Sequence, residues 1–330
     1  MSDLGIVVIG RNEGERLVQC LGSVGAEHHL VYVDSGSTDA SVANARHAGA
    51  IVVELDMAIP FTAARARNAG RAALGQDASF IQFVDGDCIV QPGWLDAAHA
   101  ELTGNPTVAV VFGRLREVSP QDSIYNRLCD MEWAVPPGEV RYFGGNAMLR
   151  AKALDATGGY AGDMIAGEEP DLAIRLRSSG WRIVCLDTEM ALHDAAMTRF
   201  GQWWRRAVRS GHAYAELENR HPGEYRRRIR AALLWGGAIP AMIVLLSVAA
   251  LLTGRGAFVL ATIAVATLPL LQMARIAQRE RQHRSAGQTW IKSLFLLLDK
   301  PPHALGIARY WLSRFRGQRT PLIEYKGGMA

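Results

Sequence analysis

Two stretches without a charged side chain, residues 231–253 and 256–274, limit most strongly what this chain can fold into. Each is close to the roughly 20 apolar residues that a helix needs to cross a bilayer. Little more than Gly254 and Arg255 separates them, so the sequence predicts a tight hairpin of two membrane-spanning helices whose outer ends face the same side. The alternative is a pair of buried core helices.

Arginines cluster at both outer ends of the predicted hairpin, where core helices would not need them. Positive charge beside a span is typical of the cytoplasmic side, so the N-terminal domain and both chain termini are expected in the cytoplasm. Further on, apolar runs at 293–298 and 305–312 mix with basic residues, which favours an amphipathic interfacial helix over a third span. The basic residues are Arg226, Arg227, Arg228 and Arg230, then Arg275, Arg279, Arg281 and Arg284, then Lys292, Lys300, Arg309, Arg314 and Arg316.

Composition excludes several classes of protein. The chain is 49% hydrophobic and 21% charged, which argues against disorder and fibrous repeats, and its four cysteines form no C-x-x-C pair that would indicate zinc. The net charge of +4 lies largely beside the apolar runs, unlike a nucleic-acid-binding face. The first residues lack the basic region of a signal peptide. We predict a cytosolic domain at 1–225, the hairpin with its basic flanks at 226–285, and an amphipathic segment at 286–330.

The first half alternates short apolar runs with helical patterns, which predicts an α/β fold with a mainly parallel sheet. Ligands of such sheets bind at the carboxyl ends of the strands. Predicted strands are residues 6–9, 30–33, 51–55, 80–84, 108–112 and 182–187, with 141–149 a strand or loop, and predicted helices are 13–24, 62–74, 94–102, 123–133 and 167–180.

Asp85 and Asp87 follow a strand of alternating apolar character, with Gly86 between them. Two carboxylates at this spacing can converge on a hard divalent cation such as Mg²⁺, which usually binds one or two carboxylates together with phosphate oxygens. We therefore predict both as metal ligands at a diphosphate site. A simple turn is the alternative.

Further polar groups follow neighbouring strands. Asn12 and Glu13 come after the first strand and Asp34 ends the second, so both ends are expected to face the crevice of Asp85. Helix capping is the alternative for Asp34 and for Asp39. Arg67 and Asn68 lie on a predicted helix, which would bring the positive charge of Arg67 to the same edge. The alternative is that both lie on a solvated face of that helix. The glycines of the Gly144–Gly145–Asn146 loop would allow a substrate to approach closely.

Three acids, Glu168, Glu169 and Asp171, begin a predicted helix. They could simply interact favourably with the positive end of the helix dipole. The more specific interpretation is that Glu169, fixed by Pro170 at a cap position, is a general base that accepts a proton from an attacking hydroxyl. The chain contains neither the G-x-x-x-x-G-K-[ST] nor the G-x-G-x-x-G phosphate loop, which argues against an ATPase or a nicotinamide enzyme.

Taken together and in their order along the chain, these motifs resemble those of a family 2 glycosyltransferase with the GT-A fold, a Rossmann-type nucleotide-sugar-binding domain. The hairpin is similar to that of membrane-anchored members that build bacterial surface polysaccharides or glycolipids at the inner membrane. The resemblance implies inverting transfer from a nucleotide-diphosphate sugar, with UDP favoured, to a lipid-linked or membrane-proximal acceptor, assisted by Mg²⁺ or Mn²⁺. It also implies that Glu13 and Asp34 hold the nucleotide near Arg67 and Asp85, that Asp87 binds the metal, and that Glu169 is the base. The residues that carry it are 12–13, 34–39, 67–70, 85–87, 145–146 and 167–176.

Two departures from the family pattern leave alternatives open. Many relatives have aspartate where this chain has Glu169, so Glu168 or Asp171 could be the base. Residues 202–206, Q-W-W-R-R, differ from the Q-x-x-R-W signature of processive synthases, which weakens the case for a polymer-extruding enzyme. His193 could add a ligand to the metal or diphosphate. A short-chain polysaccharide synthase, a nucleotidyltransferase and a catalytically silent membrane scaffold remain as alternatives.

Overall fold

The computed structural model describes residues 3–25, 28–281 and 285–318. The chain divides into two compact units, Met1–Thr198 and Arg199–Ala330. The domain limits predicted above, at 225 and 285, remain predictions.

Among the described residues of the first unit, nine strands form one sheet. The strands are β1 (Leu4–Gly10), β2 (His29–Asp34), β3 (Ile51–Glu54), β4 (Phe80–Asp85), β5 (Cys88–Val90), β6 (Val108–Glu117), β7 (Gly138–Glu139), β8 (Ala147–Arg150) and β9 (Arg182–His193). Their order in the sheet is β3-β2-β1-β4-β8-β6-β9-β5, with β7 paired to β9. The helices are α1 (Glu15–Ser23), α2 (Ser41–His47), α3 (Ala63–Ala73), α4 (Trp94–Gly104), α5 (Ile124–Trp133), α6 (Ala151–Ala156) and α7 (Glu168–Ser178).

The α/β fold class is confirmed, and the N-terminal half of the sheet is parallel as predicted. Strands β3, β2, β1 and β4 are neighbours that run in the same direction. The apolar runs of β1, β2 and β4 are buried on both faces, because helices cover the sheet, whereas β3 at its edge is partly exposed. Helix α3 packs so closely on β1 that a Cβ on Gly70 would lie 2.2 Å from Val7 Cγ1, so only glycine fits there.

The other half of the sheet is mixed, which the strand pattern did not predict. Strand β8 lies antiparallel between β4 and β6, and β5 is antiparallel to β9, whereas β6 and β9 are parallel. The last strand continues to His193, beyond the predicted end at 187, because it pairs with β6 and β5 over that length. Of the predicted segment 141–149, only the part from Ala147 onward is a strand.

Over residues 199–281 and 285–318, the regular structure of the second unit is helical. Helices α8 (Phe200–Arg220) and α13 (Lys300–Phe315) cross closely, since a Cβ on Gly211 would lie 2.2 Å from the His303 carbonyl oxygen. A π-helical segment, Leu234–Ala238, joins α9 (Arg226–Leu233) to α10 (Ile239–Thr253) in one continuous helix. The helices are α8 (Phe200–Arg220), α9 (Arg226–Leu233), α10 (Ile239–Thr253), α11 (Gly256–Glu280), α12 (Ala286–Leu298) and α13 (Lys300–Phe315).

Two helical stretches in this unit are long and apolar enough to cross a membrane. They are Arg226–Thr253 and Gly256–Glu280, with mean hydropathies of 2.1 and 2.0, and none of either apolar window is buried inside the protein. Leu251 and Leu252, near the turn between them, are 85% and 82% exposed. The alternative of buried core helices is therefore wrong. Arg284 and residues 319–330, which belong to the predicted flank and interfacial segment, lie outside the described residues.

Candidate active site

The carboxylates expected at strand ends do lie at one edge of the sheet. Gly10, the last residue of β1, is paired with Asp34 of β2, and Ile9 is paired with Asp85 of β4. Since the parallel strands end in register, Asp34 and Asp85 flank the point where the chain leaves β1. Glu13 packs into the same edge, because a Cβ on Gly86 would lie 3.3 Å from its Cγ.

Asp34 is buried and shapes the loop that follows β2. Its Oδ2 accepts hydrogen bonds from the backbone N–H groups of Gly36 and Ser37 at 2.9 and 2.8 Å, and its Oδ1 accepts one from the Tyr32 hydroxyl at 3.0 Å. A nucleotide role for Asp34 remains a prediction, and any such role would use a carboxylate that is already firmly oriented.

Asp39 joins the loop after β2 to the loop after β1. Its Oδ1 accepts from the Ser41 N–H at 2.9 Å at the start of α2, and its Oδ2 accepts from the Gly14 N–H at 3.0 Å. Asn12, which has a φ of 55°, accepts a hydrogen bond from the Thr38 N–H at 2.7 Å. Asp39 precedes Ala40, the N-cap of α2, and its carboxylate accepts from the first N–H of that helix without occupying the cap position.

Arg67 is the centre of a buried charge cluster. Its Nη1 lies 3.1 Å from Glu168 Oε1 and 3.0 Å from Glu169 Oε1, and its Nη2 lies 3.0 Å from Asp85 Oδ1. Burial alone would lower the pKa of Arg67, but the surrounding carboxylates raise it, so the guanidinium stays charged. The structure thus joins the end of β4, helix α3 and the start of α7 through one cation.

Gly145 and Asn146 hold the Asp85 side of this cluster. The Asp85 N–H donates to Asn146 Oδ1 at 3.0 Å, and Asn146 Nδ2 donates to Asp85 Oδ2 at 3.4 Å. A Cβ on Gly145 would lie 2.2 Å from Arg67 Nη2 and 2.9 Å from Asp85 Oδ2. The glycine therefore leaves room for the ion pair itself, in addition to any substrate.

Gly145→Ala is expected to destabilise the protein by about 1–3 kcal/mol, because overpacking would force the buried Arg67–Asp85 pair apart. Chemical denaturation of the full chain measures this. Gly144→Ala is the matched control, since a Cβ on Gly144 would meet nothing within 4 Å. Equal stability of both variants and the wild type would contradict the packing argument.

The three acids at the start of α7 differ sharply in their surroundings. Gly167, with a φ of 89°, is the N-cap, so the expectation that Glu169 occupies the cap is wrong. Asp171 is buried, and its carboxylate pairs with Arg175 at 2.8 Å. The Glu168 side chain is 6% exposed, whereas that of Glu169 is 17% exposed. Glu169 is therefore the acid of the three that best combines accessibility with a position beside Arg67.

The pKa of Glu169 is shifted towards neutrality. Burial and the neighbouring Glu168 carboxylate raise it from its ordinary value of 4.5 to about 7, although Arg67 acts in the opposite direction. A carboxylate with a pKa near the working pH is well suited to accept a proton and release it again.

Asp87 lies beside β9, where it meets His193. His193 Nε2 is 3.3 Å from Asp87 Oδ2, and the ligand atoms of Asp87, Cys88 and His193 all lie within 4.8 Å of one another. Strand pairing explains this proximity, because Cys88 is the antiparallel partner of His193. The indole of Trp133 stacks on the imidazole with ring centroids 4.6 Å apart.

The chemistry of this group fits a divalent cation that also binds phosphate oxygens. A carboxylate oxygen and an imidazole nitrogen suit Mn²⁺, while the thiol of Cys88 favours softer metals. Asp85, which was also predicted as a metal ligand, is instead held by Arg67 and Asn146. Its metal role remains a prediction.

Sequence reasoning missed Arg16, Asp194 and Trp133. Arg16 pairs with Glu13 at 2.8 Å and with Asp194 at 3.3 Å. The three-residue spacing of Glu13 and Arg16 on a helical pattern could have indicated the first pair. The other two residues carry no local signal, because Asp194 meets Arg16 across 178 positions and Trp133 meets His193 of a distant strand.

Residues 5–162 match the model of glycosyl transferase family 2. The pre-mycofactocin glycosyltransferase of Mycobacterium tuberculosis is 30% identical over 224 residues, which cover 64% of this chain and 44% of that protein. The chain thus spans less than half the length of the curated relatives that it matches. The similarity to glycosyl transferase family 2 thus covers residues 5–162 of this chain.

Solved structures show the same fold. The mannosyltransferase PcManGT from Pyrobaculum calidifontis, in complex with GDP-Man and Mn²⁺, superposes with a TM-score of 0.58 at 21% identity, over 92% of this chain and 87% of that chain. TarS 1–349 of S. aureus, in complex with UDP-GlcNAc, gives a TM-score of 0.50 at 17% identity, over 96% and 92%. The fold is therefore GT-A-like.

Proposed function

We propose that this protein is an inverting glycosyltransferase, which moves a sugar from a nucleotide-diphosphate donor to a lipid-linked or membrane-proximal acceptor. The observation that carries the proposal is the position of Glu169, a partly exposed carboxylate with a pKa of about 7, next to Arg67 and Asp85, which lie within the residues that match family 2. Surface polysaccharide or glycolipid synthesis is the process that such an acceptor suggests.

The donor would bind along the edge formed by the ends of β1, β2 and β4. Glu13 and Asp34 would contact the nucleoside, with Arg67 and Asp85 beside it, and Gly145 and Asn146 would shape the neighbouring loop. Asp87 and His193 would hold Mn²⁺ or Mg²⁺, which would neutralise the charge that develops on the departing diphosphate. The GDP-Man and UDP-GlcNAc bound by the two structural neighbours guide the choice of donors to test.

Glu169 would act on the acceptor. Its carboxylate takes the proton of the acceptor hydroxyl while that oxygen forms a bond to the anomeric carbon, and the bond from that carbon to the diphosphate oxygen breaks. A single displacement of this kind inverts the anomeric configuration. Arg67 holds Glu169 in place through a 3.0 Å ion pair, so little reorientation is needed.

Calorimetric titration of the full chain with UDP and GDP, with and without Mn²⁺, tests the proposal. Binding that depends on the metal supports a donor site and argues against a silent scaffold. If neither nucleotide binds under any metal condition, the proposal is wrong.

The membrane location is part of the proposal. The hairpin helices are exposed along their apolar lengths. Helix α12 buries polar side chains and exposes apolar ones, the reverse of a helix on the surface of a water-soluble domain. Its buried residues are Thr289 and Ser293, and its exposed residues are Trp290, Leu294 and Leu298. An exposed apolar face beside basic residues suits the interface of a bilayer. These features support a multi-pass anchor in an inner membrane with the catalytic domain in the cytoplasm.

The topology predicts opposite results for two reporter insertions in a bacterial host. Alkaline phosphatase, which is active only outside the cytoplasm, should be active when inserted after Gly254 and inactive when fused after Ala330. The reason is the arginine excess at the outer ends of the hairpin. The reverse pattern would separate the site from cytoplasmic nucleotide sugars and contradict the orientation.

A further inference from the structure

The turn that follows His193 adopts a conformation that its own sequence does not favour. Ala196 has a φ of 48°, in the left-handed region that non-glycine residues rarely occupy. Such backbone persists where the surroundings hold it, and it is common at functional sites.

Two buried side chains, Glu117 and Asn126, bind this turn and each other. Glu117 Oε2 accepts from the Ala195 N–H at 3.0 Å, and Asn126 Oδ1 accepts from the Met197 N–H at 2.9 Å. Asn126 Nδ2 donates to Glu117 Oε1 at 3.3 Å, which links the two side chains. Glu117 also lies directly opposite His193 in the pairing of β6 with β9.

Helix α5 contacts His193 from a second side. Asn126 is near its first turn, and Ser123, its N-cap, donates to the Met197 carbonyl oxygen at 2.6 Å. Trp133, its last residue, stacks on the imidazole with an angle of 17° between the rings. The same helix thus fixes the backbone after His193 and the plane of its ring.

We propose that Glu117, Asn126 and Trp133 are positioning residues that hold His193 towards Asp87, so that imidazole and carboxylate are set to receive a divalent cation. The inference rests on the proposed function, because it gives the Asp87–His193 pair a metal. None of the three needs to touch the metal or the donor. The distance that they maintain is the 3.3 Å between His193 Nε2 and Asp87 Oδ2.

Glu117→Gln tests this positioning role and leaves the shape of the side chain nearly unchanged. A carboxamide has only one accepting oxygen. Its NH₂ group would therefore face a backbone N–H that a Glu117 oxygen accepts from in the wild type, and that N–H would lose its acceptor. We expect Mn²⁺ to bind about 10- to 100-fold more weakly to the full chain, by analogy with outer-shell partners of metal ligands. Amide hydrogen exchange at Ala195 and Met197 should be faster. Glu139→Gln is the control, because Glu139 pairs with Arg182 at the opposite end of β9.

Trp133 supplies a second test in case the buried substitution impairs folding. Trp133→Ala should weaken Mn²⁺ binding, whereas Trp133→Phe, which keeps an aromatic face, should restore most of it. A merely structural role would change the unfolding midpoint without this pattern.

The outcomes separate the inference from the proposed function. If the wild type binds Mn²⁺ and Glu117→Gln and Trp133→Ala bind it equally well, the positioning role is wrong while the metal site stands. If the wild type binds no Mn²⁺, the metal part of the proposed function is wrong, and the positioning role is then wrong as well. Faster exchange together with weaker Mn²⁺ binding supports the proposal.

Discussion

Glu169→Gln is expected to lower the rate of sugar transfer about 10²- to 10⁴-fold while donor binding stays close to that of the wild type. The amide keeps the shape of the side chain but cannot accept the proton of the acceptor hydroxyl. Single-turnover transfer measures the rate, and calorimetry measures donor binding. A variant that transfers sugar at the wild-type rate would exclude Glu169 as the base.

Glu168→Gln is the matched control on the same turn of α7. Glu168 is more deeply buried, so removing its charge leaves Arg67 with fewer partners and should reduce stability more than rate. If the Glu168 variant is the inactive one and the Glu169 variant transfers normally, the roles of the two residues are reversed.

The pKa of Glu169 also gives opposite pH trends for rate and stability. Transfer should rise with pH through about 7, as the carboxylate loses its proton. The native state binds that proton more tightly than the unfolded chain, whose carboxyl has the ordinary value of 4.5. The contribution of Glu169 to the free energy of unfolding should therefore fall as pH rises from about 4.5 to 7. Glu169→Gln should flatten both profiles.

Asp87→Asn is expected to weaken Mn²⁺-dependent donor binding at least about 100-fold, since it removes a ligand where loss of an outer-shell partner alone costs 10- to 100-fold. The thermal midpoint should change little, because the amide keeps the shape of the side chain and one accepting oxygen. Asp155→Asn, at an ion pair with Arg71, is a control with the same chemical change.

Removal of the metal provides an independent check of the same role. EDTA should abolish donor binding by the wild type and have little further effect on Asp87→Asn. Full transfer activity in EDTA would contradict a metal-dependent site.

The part of the site that the sequence predicts lies where local pattern determines position. Buried parallel strands have a continuous apolar pattern, so their ends can be located, and Asp34 and Asp85 lie where those ends predict. The helix that carries Glu168 and Glu169 was equally predictable from Pro170 and the following apolar residues.

The remainder depends on pairing between distant segments. His193 reaches Asp87 across 106 positions because β5 joins the sheet antiparallel to β9. Glu168 reaches Arg67 across 101 positions. Neither pairing follows from hydrophobic periodicity, which reports the face of a strand and not its neighbour. The cap at Gly167 was missed because Pro170 lies at the third position of α7 and not at its first.

The most direct test of the central claim is a proton NMR time course of the purified full chain with Mn²⁺ and α-linked UDP- or GDP-sugars. Even without an acceptor, slow hydrolysis would show which donor the site accepts and which anomer forms first. We expect metal-dependent release of the nucleoside diphosphate, with the β-anomer of the sugar appearing before mutarotation. A first product with the α configuration, or release that does not depend on metal, would contradict it.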